Sequence, residues 1–133
     1  MANYINTPTK KVILDADLDF LVATIKAVLI DAADYTRSAA HDFYDDVAAA
    51  AREESATLGT KTTTSGAFDS ADGTWTAAAG DPCEEVILYC DTAGADSTDN
   101  LIADYDTFAS GMPVTLNGGD VNYTVNASGW FSI

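Results

Sequence analysis

Positive charge is scarce in this chain and missing from its second half. Six basic residues (Lys10, Lys11, Lys26, Arg37, Arg52 and Lys61) stand against 21 acidic ones, for a net charge of −15. The 72 residues after Lys61 carry eleven carboxylates and no cation. Binding to DNA or RNA rests on Lys and Arg that neutralise phosphates, so the composition argues against a direct nucleic-acid role. An anionic membrane surface is disfavoured on the same ground. No apolar stretch reaches the ~18 residues that a membrane-spanning helix needs. The opening MANYINTPTKK has its lysines behind polar residues and no apolar run after them, unlike a secretory leader.

Residues that carry chemistry are equally sparse. His41 is the only histidine, and the sequence places no serine where it and an acid would form a triad. Cys83 and Cys90 are the only cysteines. On one strand at ~3.3 Å per residue they lie roughly 23 Å apart, well beyond the about 4.4–6.8 Å between the Cα atoms of a disulfide. Free buried thiols are therefore expected. Glycines form no GxxxxGK phosphate cradle. Asp15-x-Asp17-x-Asp19 opens like a calcium loop, but Phe20 and Lys26 stand where that loop needs Gly and Glu. Acid-rich loops such as the one with Asp96 and Asp99 offer divalent ions only weak, unspecific attraction. With 21 carboxylates, a pair of them carries no information about glycoside hydrolysis. The sequons at Asn122 and Asn126 read as chance matches inside a strand. The expectation is a protein that is not an enzyme, with no cofactor and no metal.

What is present describes a globular body. Of 133 residues, 47% are hydrophobic and only 20% charged, which fits one ordinary domain. Residues 1–14 read as a polar arm, with Pro8 disfavouring helix. TIKAVLID (24–31) is rich in branched residues and predicts a strand. SAAHDFYDDVAAAAREES (38–55) is the one sustained helical candidate, with Ser38 as cap and Phe43, Val47 and Ala50 or Ala51 as its apolar stripe. From Thr60 onward, short strand candidates alternate with turns: 61–68, 73–79, 84–91 and 100–108. EEVILYCD has an unbroken apolar run, as a central strand covered on both faces would. Val114–Leu116 and Val121–Ala127 flank Asn117-Gly118-Gly119-Asp120, which predicts a hairpin. The predicted class is mainly β, an antiparallel β-sandwich or small barrel over 15–133, with one short helix and an extended N-terminal arm.

Four blocks together carry a resemblance: TIKAVLIDAADYTRSAAHDFYDDV (24–47), TTTSGAFDSADGTW (62–75), VILYCDTAGADSTDNLIADYDT (86–107) and GMPVTLNGGDVNYTVNASGWFSI (111–133). In that order they resemble small virion structural proteins of tailed bacteriophages, over roughly residues 18–133. The resemblance implies a β-rich subunit present in many copies on the particle. Its leading role would be a capsid decoration (cement) protein on the outer surface of the head. A tail- or fibre-associated adhesion module is the alternative. The implied partners are the major capsid protein and further copies of the chain, as a trimer, with no direct nucleic acid and no membrane. No catalytic residue follows from it. The chain departs from the group's pattern where Asn and Thr replace a Trp-Asp pair in the last hairpin, and where alanines 48–51 replace a turn.

The candidate interface residues are Tyr4, Ile5, Lys10 and Lys11 on the arm, and Trp130 near the C-terminus. Lys10 and Lys11 form the only cationic stretch, a candidate tether to an acidic partner surface or an ordinary tail. Gly129 can host a bulge that resets the strand alternation. Phe131 and Ile133 would then share one side and Trp130 the other. Either Phe131 and Ile133 complete the core, or Trp130 also projects into a neighbouring subunit.

Overall fold

The computed structural model of this chain describes residues 3–108 and 112–133. The apolar run becomes the centre of the molecule. Strand β6 (Glu85–Cys90) is buried at every position, as expected of a strand covered on both faces. It pairs antiparallel with β2 (Ile25–Ile30), from Ile25↔Cys90 to Ile30↔Glu85. On its other side lies β7 (Leu101–Tyr105), where a register shift opposite Leu88 and Tyr89 turns Ile102 and Ala103 toward the same face. The edges are β1 (Tyr4–Ile5) beside β7 and β3 (Arg52–Thr57) beside β2. A two-residue edge strand and a charged one (REESAT) both discourage further strand pairing.

Alternation gives this five-stranded sheet two apolar faces. Ile25, Ala27, Leu29, Val86, Leu88 and Ile102 look to one side. Two short ladders cover that face: β4 (Ala67–Phe68) with β9 (Phe131–Ser132), and β5 (Gly73–Trp75) with β8 (Val121–Tyr123). Trp75 spans the layers, since its Nε1–H donates to the Ala27 carbonyl at 3.0 Å. The opposite face, with Val28, Ile30, Ile87, Tyr89 and Leu101, is covered by the connection between β2 and β3. There Tyr44 stacks on Tyr89 with ring centroids 3.9 Å apart. The mainly β, sandwich-like class therefore holds.

Three expectations about elements need correction. Residues 38–55 do not form a helix: two single 3-10 turns, Tyr44–Asp46 and Ala49–Ala51, lead into β3. Tyr44, Val47 and Ala51 reach the sheet at near-helical spacing, but the chain between the turns is extended. Arg52 holds it so, donating to the carbonyls of Val47 and Tyr44 at 2.8 and 2.7 Å. Burial against the sheet thus overrides the alanines' helix propensity.

The short helix lies instead in the segment read as an extended arm. Helix α1 (Thr7–Leu14) places Pro8 in its first turn, where a missing N–H removes no intrahelical bond.

The 114–127 hairpin does not form either. Val114 bridges to Cys83, and the Gly118 and Gly119 turn bonds to Ala78, so β8 pairs with β5. The local residues specify the turn; Trp75 and Tyr123, whose rings lie 4.6 Å apart, decide the partner.

Candidate interaction surface

The N-terminal segment is docked along the sheet. Tyr4 and Ile5 pair with Asp104 and Ala103, and the Asn6 N–H continues the ladder to the Ile102 carbonyl at 3.0 Å. Asn6 is fully buried and donates its side-chain amide to the His41 carbonyl at 3.0 Å. Buried Thr9 donates its hydroxyl to the Leu101 carbonyl. Lys10 and Lys11 are left on the exposed face of α1, with Lys11 paired to Asp15. Of the residues expected on a loose tether, Tyr4 and Ile5 are half-buried sheet residues, and only the two lysines face solvent.

Beneath β1 lies a buried ionic centre that the sequence pattern does not announce. The Arg37 guanidinium is 3.0 Å from Asp104 Oδ1, 3.0 Å from Asp106 Oδ2 and 3.5 Å from Glu85 Oε2. It also lies over the Tyr4 ring, 4.9 Å from the centroid, and the Tyr4 hydroxyl donates to Asp104 Oδ2 at 3.1 Å. Burial, helped by the Asp104 charge and opposed by Arg37, pushes the Glu85 carboxyl up to about 7. Burial also raises Asp104, again against Arg37. This cluster clamps the 31–51 connection and the first strand onto β6 and β7. It explains why the N-terminal segment is part of the body.

Trp130 does not project toward a neighbour. It is 6% exposed, donates its indole N–H to Ser70 Oγ at 2.8 Å, and accepts the Tyr105 hydroxyl on its carbonyl at 2.7 Å. Its ring stacks on Phe108 at 5.0 Å. Gly129 does reset the chain, at φ +84°, and a side chain there would meet the Phe68 carbonyl oxygen at 2.5 Å. The reset has the opposite sense from the expected one. Trp130 enters the core, Phe131 is half-buried, and Ile133 is 77% exposed. A cleft of about 260 Å³ runs beside this tryptophan, bordered by Asn3, Thr107, Asn126 and Ser128.

The exposed apolar surface lies at the other side of β9. Phe20, Phe68 and Phe131 touch one another, with centroids 5.2, 5.4 and 5.9 Å apart. They floor a notch of about 100 Å³ walled by Ile13 at the end of α1 and by Ile133. Leu14 (85% exposed), Leu21 and Val22 (81%) adjoin Ile13 and Phe20 in sequence. With Ile133 these are the large apolar side chains left in solvent among the described residues. In the sequence only the alternation at Phe131 and Ile133 bears on this surface, and it reads as core.

The remaining candidates are structural. Asp15 holds Lys11, and Asp19 Oδ1 accepts the Leu21 and Val22 N–H groups, which closes the loop before β2. Asp96 pairs with Arg52 at 2.5 Å, and Asp99 Oδ1 accepts from the Thr92 N–H and hydroxyl. Asp31, Asp34 and Asp81 bring oxygens within 4.8 Å of one another, an arrangement that exposed acids also adopt without an ion. His41 Nδ1 lies 2.9 Å from the Tyr35 hydroxyl. Cys83 and Cys90 are both buried and free. The sequence matches no protein-family model and no curated protein.

Proposed function

We propose that this chain is a structural subunit of a tailed-phage virion: a capsid decoration protein that binds the major capsid protein on the outside of the head. The observation that carries this reading is the contrast between an otherwise well-buried apolar content and an open phenylalanine notch walled by bare Ile133, with exposed Leu14 and Val22 close in sequence to its lining residues Ile13 and Phe20. An open apolar notch on a strongly charged body is typical of a protein that docks on another. The four sequence blocks that resemble phage virion proteins supply the class of assembly.

The mechanism is linkage. A subunit that bridges neighbouring shell proteins binds the assembled shell and not the dispersed subunits, so it shifts the balance against disassembly. Contacts of modest strength, repeated over many lattice sites, add up through avidity. The anionic surface keeps free copies apart until the shell provides specific contacts.

Localisation on purified particles tests the proposal. Many copies on DNA-filled heads and none on isolated tails are expected. The reverse distribution would establish the tail- or fibre-associated reading instead.

A further inference from the structure

We infer that the phenylalanine notch is the docking point, and that it takes an aliphatic side chain from a partner whose surrounding surface is basic. The inference rests on the decoration reading for where that partner is found, and on geometry alone for the surface itself.

The shape argues for one anchoring side chain. The notch is lined chiefly by Ile13, Phe20, Phe68, Phe131 and Ile133, with Thr63 as its one polar side chain, and its surface is almost wholly apolar. Its about 100 Å³ compares with the about 150 Å³ of a cavity that holds benzene, so it suits an isobutyl or sec-butyl group. Its floor is rigid, because Phe68 and Phe131 face each other across the β4–β9 ladder and Phe20 packs on both. A preformed pocket ringed by further apolar contacts is how binding hot spots are built. Exposed Ile133 begins that ring, and exposed Leu14 and Leu21 directly follow the lining residues Ile13 and Phe20 in sequence.

Charge selects the occupant. Five of the six cations are engaged within the chain: Lys11 with Asp15, Lys26 with Asp91, Arg37 with Asp104 and Asp106, Arg52 with Asp96, and Lys61 with the Ala23 carbonyl. Lys10 alone among the described residues is without such a partner. The loop between the lining residues Ile13 and Phe20 carries exposed Asp17 and Asp19. A second copy would bring the same −15 to the contact, whereas a basic surface complements it.

The test is a titration of the isotope-labelled protein with capped Lys-Leu-Lys tripeptide, read by methyl and ring NMR. Saturable shifts are expected at Ile13, Val22, Ile133 and the three phenylalanines. They should weaken as salt is raised, and be absent with capped Glu-Leu-Glu, with capped Lys-Ser-Lys, and in a Leu14→Ser/Ile133→Ser variant, whose exposed sites leave the fold intact. Shifts confined to the acidic loops would overturn the notch. Equal shifts with Glu-Leu-Glu would overturn the charge assignment. Notch shifts that grow with protein concentration alone would make a second copy the occupant. In a parallel arm, purified heads are mixed with wild-type or double-variant protein. Equal occupancy by both overturns the docking surface but keeps the decoration reading. Notch binding by the tripeptide with no protein on any head does the reverse.

Discussion

Arg37 grips a single oxygen of Asp104 inside the fold: Nε and one terminal nitrogen each lie 3.0 Å from Asp104 Oδ1, and the other terminal nitrogen reaches Asp106. Asp104 is almost fully buried and Glu85 nearly so. A single guanidinium therefore compensates charge that water cannot reach. Truncating one partner of such a group leaves the others buried and unpaired. Arg37→Ala is expected to destabilise the protein by about 3–5 kcal/mol in urea denaturation. The triple variant Arg37→Met/Glu85→Gln/Asp104→Asn should recover much of that loss, because it removes the orphaned charges together. If the triple variant is no more stable than Arg37→Ala, packing and not charge is what Arg37 supplies.

Glu85 gives the fold an unusual pH dependence. Its carboxyl is held up to about 7 when folded, against an ordinary value of 4.5. Between those values the folded chain binds more protons than the unfolded one, so stability falls as pH rises through the window. The contribution is fully present below the unfolded value and lost above about 7. Asp104, also raised, acts in the same sense, whereas Asp91, held low by the Lys26 hydrogen bond, acts oppositely in more acid solution. Stability at pH 5.5 is expected to exceed that at pH 8 by on the order of 1–2 kcal/mol. Glu85→Gln should flatten most of this slope. An unchanged slope in the variant would assign it to general charge repulsion.

Gly129 is the residue on which the C-terminal strand turns. Its φ of +84° and the Phe68 carbonyl oxygen 2.5 Å from where a Cβ would sit leave no room for a side chain. Gly129→Ala is expected to cost roughly 2 kcal/mol or more and to release β9 before the rest of the sheet. Hydrogen exchange at Trp130 and Ile133, whose N–H groups bond to Phe68 and Gly66, reads this directly. Full protection at both in the variant would contradict the role given to Gly129.

What could be read from the residues was local, and what could not was pairing. The run from Val86 to Cys90 announced a central strand because burial on both faces leaves an unbroken apolar signature. Residues 117–120 announced a turn because their chemistry is local. Which strands meet across that turn depended on Trp75 and Tyr123, whose strands pair at a separation of 48 residues. The alanines after Val47 are good helix formers, but here they close only a single 3-10 turn, because Arg52 holds the preceding link at Val47 to Tyr44 out of helical register. At the candidate surface, the lysines' exposure was legible from their charge. The notch was not, since Phe20, Phe68 and Phe131 come from three distant segments that only the folded chain brings together.

The proposed role is tested most directly by adding purified protein to heads stripped of it and counting bound copies as concentration rises. The account predicts saturation at a fixed number per shell lattice unit, raised resistance of the shell to heat, and no uptake by tails. Absence of saturable uptake by heads, or uptake by tails alone, would contradict it.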